Sequence, residues 1–383
     1  MRIRRWIALA AVSAGVWLMS ACGSEAGSYN EAGLSSYANG DYSQAVDSFA
    51  NAIVADNQNP DYYVNQGMAY LELEDYDSAQ SCFDSALRLD GSCQSAYRGK
   101  GIAYMEAEKY DEAIGAFNAA LACESGRVSE AEYDILLYRG ETQMRGGDYE
   151  SAIETYTVLL ETKGEESQLY YLRGAAKIGG GDIEAGTADL DQAVKLSPTD
   201  YSLYLNCYYR LAAAGQTDTG VQYLQNALTI ADNTADSHKY RGMIHFLLGD
   251  YSTALAEFEY VRDSADVETL IYIGLCYQAQ GDSESCAAAL SQALEQGGEN
   301  PDVYYQMGMC MFSMEEYEES LDYLGKGLAL DGGSYRREML YMQALCYERL
   351  DRFSEALASF ESYVALYGTS DALDKEMAFL RTR

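Results

Sequence analysis

Proline is close to missing from this chain, with three residues in 383. So few breaks leave room for a large continuous core, to which the 48% hydrophobic content also points. Histidine is scarcer still. Two residues, His238 and His245, leave little material for acid–base or metal chemistry. Positive charge is short as well: 26 Lys and Arg stand against 60 Asp and Glu, a formal net charge of −34. A surface of that sign repels polyanions, which argues against a nucleic-acid role. It keeps a long chain soluble as a solvated outer face, or steers it towards basic partners. No glycine-rich loop ends in Gly-Lys-Ser/Thr, no Gly-x-Ser-x-Gly elbow occurs, and His-Glu-x-x-His is absent. Acid pairs such as Glu72 with Glu74 are what 60 acids produce by chance. No catalytic residue, metal site or cofactor is therefore expected.

What the chain does have is a period. Gly33, Gly67 and Gly101 lie 34 residues apart, as do Ala45, Ala79 and Ala113, and Phe49, Phe83 and Phe117. A fixed period in this range means stacked supersecondary units rather than separate globular domains. Within residues 60–93, apolar side chains recur at helical spacing over 61–73 and again over 77–89. Gly-Asp divides the two runs in five copies, at Gly40, Gly147, Gly181, Gly249 and Gly281. Glycine ends a helix by taking the left-handed conformation, and aspartate caps the next one. The glycine at the eighth place and the alanine at the twentieth fall where paired helices cross.

These residues (Gly67, Tyr70, Ala79, Phe83, Ala86) resemble the tetratricopeptide repeat. The resemblance implies an all-α fold, a right-handed α-solenoid of about ten helix pairs over residues 29–370. The units read as 26–59, 60–93, 94–127, 133–166, 167–200, 201–234, 235–266, 267–300, 301–334 and 337–370. A five-residue insertion, Val128 to Glu132, precedes the fourth, and residues 371–383 form a capping helix over the last apolar face. Units five and six break the pattern with Gly186 and Gly220 at the alanine place and Tyr208 at the glycine place, which marks them for altered curvature.

Residues 1–21 read as an address. Arg2, Arg4 and Arg5 precede an apolar run from Ile7 to Leu18, shorter than the roughly 20 residues that span a bilayer. Leu18-Met19-Ser20-Ala21-Cys22 resembles the lipobox of bacterial lipoprotein signal peptides, although Met19 stands where that family usually has leucine. The resemblance implies cleavage before Cys22, lipidation of Cys22, and extracytoplasmic anchoring to a bacterial membrane. Loss of three Arg and no acid would move the charge from −34 to −37. Residues 22–28 are expected as a flexible tether.

The other eight cysteines show no Cys-x-x-Cys and occupy small apolar places, so buried thiols are expected, with Cys276 and Cys286 a conceivable disulfide. His238 and His245 fall on a packed helix face. In the tetratricopeptide family the first helix of each pair lines an inner groove. Carried over, the early groove mixes Asn30, Leu34, Val64, Met68, Arg98 and Ile102. Its later part holds Tyr171, Tyr209, Met243, Phe246, Ile271, Leu275, Tyr305, Met309, Phe312, Tyr341 and Leu345. An oily wall of aromatics and methionines suits a protein or peptide ligand. A homo-oligomer seam, as in a self-associating envelope assembly, and packing within the array are the alternatives. Residues 335–383 hold seven basic and eight acidic residues, which makes that end the natural dock for an acidic partner.

Overall fold

The computed structural model describes residues 24–123, 130–330 and 333–383, and those residues are 81% helix with no strand. Cys22 and the residues before it lie outside the described part, as do Gly23 and the start of the expected insertion. Twenty-one α-helices follow one another as ten antiparallel pairs and a last single helix. They form two compact units. The first extends to Leu203 and takes in Tyr209–Thr217; the second comprises Tyr204–Tyr208 and everything from Asp218.

In the first unit the pairs are α1 (Glu25–Ala38) with α2 (Tyr42–Ala55), α3 (Pro60–Glu72) with α4 (Tyr76–Leu89), α5 (Gln94–Glu106) with α6 (Tyr110–Ala122), α7 (Glu130–Arg145) with α8 (Tyr149–Lys163), and α9 (Ser167–Gly179) with α10 (Ile183–Leu196). Helix α11 (Tyr201–Ala213) carries the division between the units and is followed by α12 (Thr217–Ala227). The second unit continues with α13 (Ala235–Leu247) and α14 (Tyr251–Glu259), α15 (Val267–Ala279) and α16 (Ser283–Gly297), α17 (Pro301–Ser313) and α18 (Tyr317–Ala329), α19 (Arg336–Arg349) and α20 (Phe353–Tyr367). Helix α21 (Asp371–Leu380) closes it, and its Leu373, Met377 and Leu380 cover Ala344, Ala356 and Phe360.

Two boundaries differ from those expected. Residues 25–28, expected in the tether, are helical, because Ser24 caps α1 by accepting the Gly27 N–H at 3.0 Å. Ala26, buried against Ala52 and Tyr62, supplies the packing that holds this first turn in place. Glu130 to Glu132, expected as part of an insertion, extend the N-terminus of α7.

One turn joins the helices in all ten pairs. Its fifteenth-place residue has positive φ, whether glycine (Gly40, Gly147, Gly181, Gly215, Gly249, Gly281) or not (Glu74, Glu108, Glu315, Asp351). The amide three residues past the helix bonds back five residues, as in Asp75 N to Tyr70 O at 3.0 Å, satisfying a carbonyl the helix leaves open. That same Asp75 then caps α4 through Ser78 N at 3.1 Å. Left-handed backbone strains any residue with a Cβ, by roughly 1–2 kcal/mol. Glycine gives back part of that through its freer unfolded chain. Glu74→Gly (φ 60°) and Glu315→Gly (φ 63°) are thus expected to stabilise the fold by about 0.5 kcal/mol each. Urea denaturation of the single variants checks this, and a loss of stability would show that the Glu side chains matter more than the turn.

Packing inside a pair is set by glycine under an aromatic ring. A Cβ on Gly33, Gly67 or Gly101 would meet the rings of Phe49, Phe83 and Phe117 at 2.5, 2.7 and 2.5 Å. Ala45, Ala79 and Ala113 are fully buried beside them. In α11 and α12 the small residue has changed helices: a Cβ on Gly220 would lie 3.1 Å from Tyr208. In α9 and α10 both places are glycine, and a Cβ on Gly174 would sit 2.8 Å from the Gly186 carbonyl.

Candidate partner-binding face

The side chains expected to meet a partner lie on the first helix of each pair. In the first unit their stripe is partly polar and bonded to itself, with Leu34 44% exposed and Met68 half-buried among the polar groups. Asn65 Nδ2 donates to Asn30 Oδ1 at 2.9 Å, and Tyr37 Oη donates to Glu72 Oε1 at 3.1 Å. Burial, and then Glu72, pushes the Tyr37 hydroxyl well above its ordinary range. Arg98 pairs with Asp134 of the next first helix and lies over the Tyr138 ring, 5.1 Å from its centroid. Val64 and Ile102, expected on this face, are buried instead. The partners come from neighbouring pairs, 35 or 36 residues away, so one repeat read alone gives no sign of them.

The second unit is apolar on the same face, yet several of its aromatics are already engaged. Met243 is 3% exposed and does not reach the surface, which corrects its assignment to the groove; it packs inward from α13. Phe246 meets Tyr272 edge-on at 5.3 Å and Tyr251 at 5.7 Å. Phe312 meets Tyr317 at 5.2 Å, and Tyr305 stacks on Tyr335 at 4.4 Å. The Tyr37–Tyr42, Phe246–Tyr251 and Phe312–Tyr317 contacts repeat one motif, an aromatic five residues before a tyrosine across the turn. That spacing was legible in the sequence. The open oily wall is therefore narrower than the residue types suggested.

What stays accessible is a stripe of places five and nine on three successive first helices. Ile271 and Leu275 on α15, Tyr305 and Met309 on α17, and Leu345 on α19 are half-buried, and Tyr341 is 40% exposed. Tyr171 on α9 is half-buried and Tyr209 on α11 is 37% exposed, each in the first unit.

The remaining reactive side chains are packed or paired. His238 is buried, 2.7 Å from Glu257 and stacked on Tyr260, and His245 faces Asp250 at 3.6 Å. All eight described cysteines are free thiols. Cys276 and Cys286 are among them, so the disulfide between the two is not formed, and the Cys310 thiol donates to the Ser283 carbonyl at 3.0 Å. Among the described residues no group of His, Cys, Asp and Glu is placed to hold a metal, and no helix is long and apolar enough to cross a membrane.

Comparison with known families agrees with this geometry. A tetratricopeptide repeat model matches residues 64–128, and another matches 134–162 and 338–370. The chain carries tetratricopeptide repeats. A model for subunit 3 of the anaphase-promoting complex, or cyclosome, matches residues 247–327. The BBSome complex member BBS4 of Xenopus tropicalis is 23% identical over 259 residues, 67% of this chain and 50% of that protein. The match thus spans half the length of that relative. Among solved structures, yeast Tom70 is 16% identical with a TM-score of 0.48, covering 93% of this chain and 88% of its own. Human IFIT1, solved as a dimer with PPP-AAAA, is 15% identical with a TM-score of 0.49, over 83% and 80%. Tetratricopeptide arrays of this kind serve as scaffolds for protein–protein contact.

Proposed function

We propose that the protein is a non-enzymatic scaffold that holds an extended protein segment along the first helices of its second unit. The observation that carries this is the stripe of Ile271, Leu275, Met309, Tyr341 and Leu345 at corresponding places of α15, α17 and α19. Three successive first helices present apolar side chains at a regular spacing, and the flexible Met309 adapts to varied apolar partners. We further propose that acyl chains on Cys22 tether the array to the extracytoplasmic face of a bacterial membrane. Two chains on one cysteine would make that attachment stable.

The experiment replaces Ile271 and Met309 together by glutamate in the full chain and identifies what crosslinks to a probe at position 275. The captured segment is expected to be lost by about tenfold or more, with helicity and melting temperature kept. Unchanged capture would remove the face from consideration, and capture of a second copy of the chain would make it a self-association seam. In the same cells Cys22→Ala should move the protein out of the membrane fraction; if it stays there, the lipid is not the anchor.

A further inference from the structure

The space between α19, α20 and α21 is a cavity of about 330 Å³, walled by Tyr341, Leu345, Phe360, Tyr363 and Tyr367. Two acids, Glu348 on α19 and Glu376 on α21, line it. The same two acids and Leu345 line an adjoining cavity of about 270 Å³, which reaches Phe312, Phe353 and Phe379. A carboxyl pair thus lines both cavities, beside aromatic and aliphatic side chains and, in the first, Arg337, Thr369 and Ser370.

No cation makes a hydrogen bond to the Glu348 Oε1 atom. Glu348 Oε1 is out of contact with solvent and has no donor other than the carboxyl of Glu376, with which it can share a proton. Burial, and then the neighbouring Glu376, pushes the Glu348 carboxyl up to about 7. The bases at this end are held elsewhere. Arg337 lines the mouth, where Nε donates to Tyr363 Oη at 3.0 Å and the guanidinium lies over Tyr363 and Tyr367. Arg352 pairs with Glu318 and Glu355, and Arg381 with Glu361. Arg349 on α19 borders the second cavity and eases the charge on Glu348 without reversing its shift, and Arg383 lies over the Phe353 and Phe379 rings that wall the same cavity, 5.8 and 4.9 Å from their centroids. The near-neutral composition of residues 335–383 thus includes a cleft with two acids in its lining.

We infer that this cleft takes an alkylammonium group, the head of a lysine side chain presented by the segment the scaffold binds. The inference rests on the proposed binding face, of which Tyr341 and Leu345 are the last members. The aliphatic stem of a lysine fits between Leu345 and the rings, and its head carries three donors for acceptors that have too few. Tyrosine faces add cation–π attraction. Bringing a cation to the pair lets both carboxyls ionise, so the proton they hold at neutral pH leaves as the ligand arrives.

Calorimetric titration of the full chain with n-butylamine, in two buffers of different ionisation enthalpy, tests this. Saturable binding with a Kd of roughly millimolar is expected, with release of part of a proton at neutral pH. Glu348→Gln should weaken it about tenfold and abolish the proton release, and N-butylacetamide should not bind. No saturation, equal binding of the neutral amide, or an unchanged Glu348→Gln variant would overturn the inference. A second arm offers the crosslinked segment with each lysine replaced by alanine. Undiminished binding would leave the face standing and refute the lysine pocket. Butylamine binding without any segment bound would keep the pocket and refute the face.

Discussion

Phe83→Ala is expected to lower the unfolding free energy by about 3–5 kcal/mol, because its ring is fully buried and serves two helix pairs at once. A Cβ on Gly67 of its own pair would meet the ring at 2.7 Å, and one on Gly99 of the next pair would meet it at 2.4 Å. The ring is therefore the hinge pin of the α3–α4–α5 contact and belongs to an apolar cluster of the first unit with Phe117, Met105 and Ile135. In a stacked array each pair is stabilised only by its neighbours, so a cavity here loosens α5 and α6 as well. The partner substitution sharpens the test. Gly99→Ala alone should overpack the ring and cost about 1–3 kcal/mol. Made on the Phe83→Ala background it should cost nearly nothing, since the methyl enters the space the ring has left. Chemical denaturation of the four proteins in a double-mutant cycle measures this coupling. Strictly additive losses would mean that Gly99 is small for another reason.

Much of this architecture is written openly in the chain. The period of 34 places the helix pairs. The recurring Gly33, Gly67 and Gly101 with Phe49, Phe83 and Phe117 mark the packed side of each pair, where the ring lies directly over glycine. The turn is visible where it is written Gly-Asp and invisible at Glu74, Glu108, Glu315 and Asp351, which take the same positive φ without the residue that advertises it. There the two flanking helices impose the turn, and local preference yields.

The candidate face was legible only by position, not by state. Place in the repeat says which side chains leave the first helix outwards, but whether they meet solvent depends on the adjacent pair. Tyr305 has Tyr335 over it, and Met243 is drawn inwards. Asn30 finds Asn65, and Arg98 finds Asp134. The Glu348–Glu376 pair was hidden for a related reason. Helix α21 is a single helix without a partner, so no repeat numbering relates its Glu376 to α19.

Asp189→Ala is the second large effect, expected to cost about 3–5 kcal/mol by leaving two cations without their counter-charge. Asp189 is only 6% exposed. Its oxygens accept from Arg173 Nε at 2.8 Å and Arg173 Nη2 at 2.9 Å, and Lys177 Nζ lies 2.7 Å from Oδ2. This network stands in the pair where glycine faces glycine, so ionic contacts add to what Leu190 alone gives in the place of the phenylalanine ring. Burial by itself would push the Asp189 carboxyl up, but the hydrogen bonds from Arg173 and Lys177 outweigh it and hold the group below its ordinary range. A carboxyl lowered on folding adds stability that is complete above its unfolded value of about 3.9 and is lost as pH falls below it. Wild type should therefore lose its advantage over Asp189→Ala between about pH 4 and lower pH, and keep it unchanged up to neutral. Denaturation curves at neutral and acid pH read both quantities. If the difference between the two proteins is the same at every pH, the loss comes from side-chain volume and not from charge. Replacing Arg173, Lys177 and Asp189 together by apolar residues then separates stability from specificity. A network that only compensates for its own desolvation can be removed whole at little cost, even though removing the aspartate alone is severe.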